Sequence, residues 1–173
     1  MNLKNRRTWL LVAAPVVIAL SSAATYAIID RNEQQQPPAA RQSEIAAKSR
    51  QVMPFDLDRT THRFTKTATG GVQTVTADDQ ADAQQIKLIR EHLTEEAAAF
   101  RKGDYGDPAS IHGGQMPGLR ELEQGHTRIE TRYTQTPSGA QITYTTSDPS
   151  LIKALHAWFD AQVTDHGQHA EHG

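Results

Sequence analysis

Histidine and methionine side chains are the candidates for metal binding in this sequence. His112 and Met116 lie four residues apart in a glycine-rich segment. An imidazole and a thioether together suit copper, because Cu(I) prefers soft sulfur ligands. Seven of the eight histidines lie from His92 onward. The sequence therefore predicts a transition-metal site, with copper before zinc, whose candidate ligands are His112, Met116, His92, His156, His62 and His166.

Several of these residues also have a structural interpretation. Met116 could fill a gap in the core while His112 bonds the turn around it, and His62 opens a predicted strand, where an edge histidine is usually hydrogen-bonded. His166 belongs to a C-terminal tail, residues 165–173, whose three histidines are spaced by three residues. Such a tail could collect Zn²⁺, Cu²⁺ or Ni²⁺, or could simply be solvated.

Signatures of a known reaction are missing from the chain. It contains no cysteine, which excludes thiolate metal sites and cysteine nucleophiles. It also lacks a G-x-S-x-G elbow, an H-E-x-x-H helix, a Walker loop and a dinucleotide fingerprint. Glu95 and Glu96 are predicted to be solvated helix charges. An enzyme therefore ranks third among the functions, and a pocket that gathers His112, His92 or His62 with an acidic residue would favour it.

An N-terminal segment predicts where the rest of the chain resides. Trp9–Ile29 carries no charged side chain, and three basic residues precede it. About 20 apolar residues span a bilayer, and the basic flank stays in the cytoplasm. The sequence thus predicts a single-pass inner-membrane protein with a periplasmic C-terminal domain. The alternative is a signal peptide cleaved after Ala24 or Ala27, which leaves the domain in the periplasm.

Charge and composition divide the remainder and exclude one class of partner. From Asn32 to Gly173 there are 14 Lys and Arg against 19 Asp and Glu, a net charge of −5 that argues against nucleic acid. Residues 1–30 are predicted as the anchor or signal peptide, and the Gln- and Pro-containing residues 31–52 as a flexible linker. A small α+β domain at 53–164 and the His-rich tail follow.

A repeat indicates the fold of that domain. Residues 63–79 and 132–148 match at seven of 17 positions. Each copy alternates polar and apolar residues around a glycine-containing turn, which predicts a β-hairpin. The similarity indicates either an internal duplication or a chance likeness between threonine-rich strands.

Helical periodicity follows each hairpin. Apolar stripes predict helices over 81–100 and 149–163, with a short helix over 117–124 between them. His92 and His156 lie on opposite flanks of their stripes, which indicates boundary positions and not a symmetric pair. The predicted fold is a four-stranded antiparallel sheet, built from two ββα units, with helices on one face.

Five segments resemble a family of short exported bacterial proteins that often carry the name aspartate carbamoyltransferase. They read MPFDLDRTTHRF, GGVQTV, IREHL, PASIHGGQMPGL and LHAWFDAQVTDHG, and they lie between Met53 and Gly167. True aspartate carbamoyltransferases are far longer, and the Ser-Thr-Arg-Thr motif with which they hold carbamoyl phosphate does not occur in this sequence. The resemblance therefore implies export and one folded unit, and it brings no activity.

These observations favour a non-catalytic binding domain of the cell envelope that takes a transition metal. The alternative is a metal-free interaction module that docks an envelope protein. Its contact surface would be the glycine-rich segment 103–118, predicted as an ordered loop, and an apolar rim near Trp158 and Phe159.

Overall fold

The computed structural model describes residues 37–173, so the predicted membrane segment Trp9–Ile29 lies outside the described residues. None of the helices within 37–173 combines the length and the hydropathy that a membrane span requires. The α+β class is confirmed. The helices are α1 (Pro38–Val52), α2 (Ala83–Phe100), α3 (Gly106–His112), α4 (Leu119–Gly125) and α5 (Pro149–His166). The strands are β1 (Thr60–Thr67), β2 (Gly70–Ala77), β3 (Glu130–Thr136), β4 (Gly139–Thr145) and β5 (Ala170–His172).

The five strands form one mixed sheet in the order β3-β4-β2-β1-β5. The hairpins β1–β2 and β3–β4 are antiparallel, and β2 pairs antiparallel with β4 at its centre. Gln73 of β2 faces Ile142 of β4, and these residues occupy the same position in the two sequence copies. The hairpins therefore meet about an approximate two-fold axis.

The sheet differs from the predicted one at the edge beside β1, where it has a fifth strand. The tail that was predicted to be separate from the domain folds back after Gly167 and supplies β5, which runs parallel to β1. Strand β1 would otherwise expose a row of unpaired backbone groups, and β5 covers part of that row. A purely antiparallel four-stranded sheet was thus an incomplete prediction.

Helices α2 and α5 pack their apolar stripes against the sheet. Asp82 caps α2 by accepting from Gln85 N, and Asp148 caps α5 by accepting from Ser150 N. The core is built of aromatic rings around Trp158, which is fully buried and lies 5.9 Å from the ring of Phe100. Because Trp158 and Phe159 are both fully buried, the predicted apolar rim does not exist as a surface.

The predicted linker is largely a helix. Residues 38–52 form α1, which begins with Pro38 at its first turn and is rich in alanine and charged helix formers. Ile45 of α1 is fully buried against the domain. A flexible linker is therefore wrong from Pro38 onward, because the helix packs through Ile45. The domain likewise begins before residue 53.

The glycine-rich segment 103–118 contains a helix where a loop was predicted. Helix α3 occupies its middle and ends at Gly113. Tyr105, Ile111 and Met116 are buried and hold the segment down. Gly118 adopts φ +79°, and a Cβ there would lie 2.0 Å from the carbonyl oxygen of Ala154. This close approach explains why the residue before α4 is glycine.

Candidate histidine site

Four buried histidines from four different elements line one cavity. His62 comes from β1, His92 from α2, His112 from the last turn of α3 and His166 from the last turn of α5. The volume of this cavity is about 20 Å³, enough for one water molecule or one ion. The lining residues are Val52, Met53, His62, Phe64, Gln73, His92, Glu96, Asp107, Pro108, Ile111, His112, Gln162 and His166.

The imidazole rings pack directly against one another. The rings of His62 and His166 are stacked, with centroids 5.5 Å apart and planes 3° from parallel. His112 meets His166 edge to face at 4.9 Å, and Phe55 lies against both His62 and His92 at 5.7 Å and 5.6 Å. The Nδ1 atom of His62 and the Nε2 atom of His166 are buried and have no hydrogen-bond partner. Because a buried polar atom without a partner is costly, these two nitrogens call for a ligand or a bound water.

Burial keeps these rings neutral. Loss of solvation, helped by the nearby His92, lowers the pKa of His62 from 6.5 to about 4. The pKa of His166 falls well below its ordinary value, through burial first and then through its neighbour His62. Burial also lowers the pKa of His92. A neutral imidazole has a lone pair on one nitrogen, so these rings can accept a hydrogen bond or bind a metal ion.

His112 is held by a carboxylate and an arginine. Its Nδ1 lies 2.8 Å from Asp165 Oδ2 and donates to it, since a carboxylate can only accept. Arg41 of α1 donates to both oxygens of Asp165, from Nε at 2.9 Å and from Nη2 at 2.8 Å. Burial opposes ionisation of Asp165, but the bonds from His112 and Arg41 outweigh it and lower its pKa to about 2. Asp165 is thus an anion that fixes the His112 ring and leaves its Nε2 unprotonated when the ring is neutral.

Two acidic residues, Glu96 and Asp107, line the cavity together with the histidines. Glu96, predicted to be solvated, is half-buried and accepts from Gln73 Nε2 at 3.2 Å, while Tyr144 donates to Gln73 Oε1 at 2.8 Å. Burial, helped by the charge of Asp107, raises the pKa of Glu96 to about 8. The prediction for Glu96 was wrong because its helix turns this position, one turn after His92, toward the cavity.

The structure gathers four of the six predicted ligands. His62, His92, His112 and His166 line the cavity, whereas Met116 is buried in the core and does not line it. The thioether that lines the cavity belongs to Met53, which directly follows α1. Among residues 37–173, no three or more His, Asp or Glu side chains are arranged to hold a metal ion as they stand. The parallel rings of His62 and His166 show one reason, because their in-plane nitrogens do not converge on one point.

His156, the remaining candidate, supports a turn. Its Nε2 lies 2.9 Å from the carbonyl oxygen of Gly70 and 3.1 Å from that of Thr67. Arg90 makes the corresponding contacts to Thr136 and Gly139 in the other hairpin. His156 is therefore engaged in holding the fold and does not line the cavity.

The sequence reasoning missed Arg41, Met53, Glu96 and the role of Asp165. A signal was present for Glu96, since His92 and Glu96 are four residues apart and share a helix face. Another was present for Asp165, which directly precedes His166 at the end of the last helix. Arg41 had no such signal, because its partner Asp165 lies 124 residues away.

Comparison of the chain with protein-family models, with curated proteins and with solved structures finds no match. The histidine site is therefore interpreted from its own geometry.

Proposed function

We propose that this chain is a membrane-tethered periplasmic domain that binds a transition-metal ion in the histidine cavity. The observation that carries the proposal is that four buried histidines line one ion-sized cavity, with two ring nitrogens that lack any partner. The histidines are poor candidates for ordinary core positions, because an unpaired buried nitrogen costs about 1–3 kcal/mol. An ion would satisfy these nitrogens after the rings turn to present them to one point.

Size and charge support an ion over an organic ligand. A cavity of about 20 Å³ admits one water-sized occupant. Neutral imidazole is the form that binds metals, and burial keeps His62 and His166 neutral. Binding requires the stacked rings to turn about their Cβ–Cγ bonds, so that nitrogens from two or more of them lie about 2.0–2.1 Å from one centre.

The ligand set leaves copper and zinc as the proposed ions. Imidazole nitrogens suit both, and a thioether favours Cu(I). Met53 replaces Met116 as the proposed sulfur ligand, because Met53 lines the cavity.

Metal titration of the purified full-length chain tests this proposal. The metal-stripped protein is titrated with Zn(II), with Cu(II) and, under reducing conditions, with Cu(I). His62→Phe and His166→Phe each keep a flat ring in the cavity and remove the nitrogens, so they should weaken binding. His172→Phe is the matched control, since that side chain is 56% exposed. If the wild-type chain binds none of the three ions at micromolar concentration, the proposal fails.

The location is proposed from the sequence. Trp9–Ile29 would hold the chain in the inner membrane, or would be removed on export. Protease treatment of spheroplasts should digest the C-terminal domain of a tethered form and leave a short membrane-bound fragment. Protection of the domain until the cells are lysed would contradict a periplasmic location.

Acid–base catalysis is the second candidate, and one observation favours it. The same cavity joins His112, oriented by Asp165, to Glu96, whose pKa of about 8 suits a proton donor at neutral pH. The cavity is too small for an organic substrate, which places this candidate second. Hydrolysis of p-nitrophenyl acetate or phosphate that disappears in both His112→Ala and Glu96→Gln would support it, and activity unchanged in both variants would refute it.

The metal-free interaction module remains a prediction, but its proposed apolar contact surface is not exposed. Trp158 and Phe159, which were to form that rim, are fully buried. Recovery of one defined envelope protein with the tagged chain from solubilised membranes, unaffected by chelator, would support it.

A further inference from the structure

We infer that Arg41 and Asp165 position His112 for the ion. Helix α1, which carries Arg41, would then contribute to ion binding. The inference rests on the proposed metal-binding function. It goes beyond that function because it assigns part of the ion's affinity to a helix that supplies none of the four histidines and lines the cavity with Val52.

The hydrogen bonds give His112 one defined orientation. Asp165 accepts from Nδ1, so Nε2 is the nitrogen that remains available to an ion. A histidine ligand whose second nitrogen donates to a carboxylate is both oriented and made more basic. Removal of such a supporting partner typically weakens metal binding about 10- to 100-fold.

Arg41 anchors this carboxylate and the backbone beside it. Its guanidinium grips both oxygens of Asp165, and Nη2 also donates to the carbonyl oxygen of His112 at 2.9 Å. The same side chain thus fixes the ends of α3 and α5, which carry His112 and His166. A planar guanidinium can make this set of contacts, whereas the single ammonium of lysine cannot reproduce its two-pronged geometry.

Helix α1 packs against α3 and α5. Ile45 and Ser49 are its buried residues, and the hydroxyl of Ser49 has no hydrogen-bond partner. Gln42 adds one bond, from Nε2 to the carbonyl oxygen of Thr164 at 3.0 Å. The Arg41 contacts link α1 to the ends of the two helices that carry His112 and His166. Affinities are reciprocal between coupled sites, so an ion bound by His112 should in turn stabilise the docked helix.

The test compares Zn(II) affinity and helix protection in full-length variants. Arg41→Gln and Asp165→Asn should each lower Zn(II) affinity about 10- to 100-fold. The double variant should lose little more than either single one, because both residues act through His112. Arg41→Lys should lie between Arg41→Gln and wild type, and it keeps the test open if Arg41→Gln does not fold. Lys48→Gln is the matched control, on the same helix but paired with Glu44 at its surface.

Hydrogen exchange supplies the readout that a merely structural role would not move. Zn(II) should slow exchange of the α1 amides in wild type and in Lys48→Gln, but not in Arg41→Gln. If Arg41→Gln lowers the melting temperature yet keeps the Zn(II) affinity of wild type, Arg41 only supports the fold and the inference is overturned. If wild type binds Zn(II) and neither variant differs from it, the inference fails alone. If wild type binds no ion, the proposed function fails and this inference falls with it.

Discussion

The burial of His62 should make the folded protein sensitive to mild acid. The ring is 2% exposed, and burial lowers its pKa from 6.5 to about 4. The folded protein therefore binds a proton at His62 more weakly than the unfolded chain does. Stability from this residue is complete above pH 6.5 and is lost as the pH falls through 6.5 toward 4.

The size of the effect follows from the two pKa values. A pKa of about 4 in the folded protein against 6.5 in the unfolded chain corresponds to about 3 kcal/mol once the pH is below both values. Between pH 7 and pH 5 the loss attributable to His62 is about 2 kcal/mol. This is a large share of the about 5–15 kcal/mol by which domains are usually stable. The lowered pKa values of His92 and His166 act in the same direction.

Urea unfolding at pH 7 and pH 5, followed by circular dichroism with EDTA present, measures this loss. His62→Phe keeps a ring beside Phe55 and cannot be protonated, so its stability should fall by about 2 kcal/mol less than that of wild type. His172→Phe, whose ring is exposed in the wild type, should behave as wild type does. Equal pH dependence in wild type and His62→Phe would refute the reasoning, since the ring would then not be held neutral by the fold.

Three further predictions concern the core, the glycine-rich segment and the sulfur ligand. Trp158→Ala should cost about 3–5 kcal/mol in urea unfolding, because the ring is fully buried, and a loss below about 1 kcal/mol would contradict its place in the core. Gly118→Ala should destabilise the protein by more than the about 1–2 kcal/mol that a left-handed conformation costs, because its Cβ would also meet Ala154 O. Gly114→Ala, with nothing within 4 Å of its Cβ, should be close to neutral, and the opposite ranking of melting temperatures would overturn this argument. In competition titrations, Met53→Leu should weaken Cu(I) binding and leave Zn(II) binding nearly unchanged, whereas Met116→Leu should leave both unchanged. A loss of Cu(I) binding confined to Met116→Leu would indicate that Met116 is the sulfur ligand.

Local patterns predicted much of the fold. The alternation and the turn glycines of 63–79 and 132–148 mark the places where the two hairpins lie. Asp82 and Asp148 cap the two long helices, and the apolar stripes of those helices are buried. These features are readable because each depends on residues a few positions apart. The sequence pattern did not predict helix α1, because the helix has one large buried side chain, Ile45, and therefore no apolar stripe.

The site was predicted only in part, for a related reason. Histidine was the correct residue type to examine, but its number and spacing do not say which rings meet. Met116 was predicted as a leading ligand beside His112, and His156 as a helper like His166 and His62. In the structure Met116 lies in the core and His156 bonds a turn. The helical pattern predicts a solvated Glu96, because an amphipathic pattern does not show a cavity beneath one flank of a helix.

Local structure, composition and a predicted location can therefore be read along the chain. The sequence shows the hairpin and helix patterns, the absence of cysteine, the acidic balance after residue 31 and the charge-free segment Trp9–Ile29. The packing of β1, α2, α3 and α5 brings four histidines to one cavity, and it places Arg41 beside Asp165, 124 residues away in sequence. These contacts depend on how the elements pack in space, and no periodicity along the chain records that arrangement.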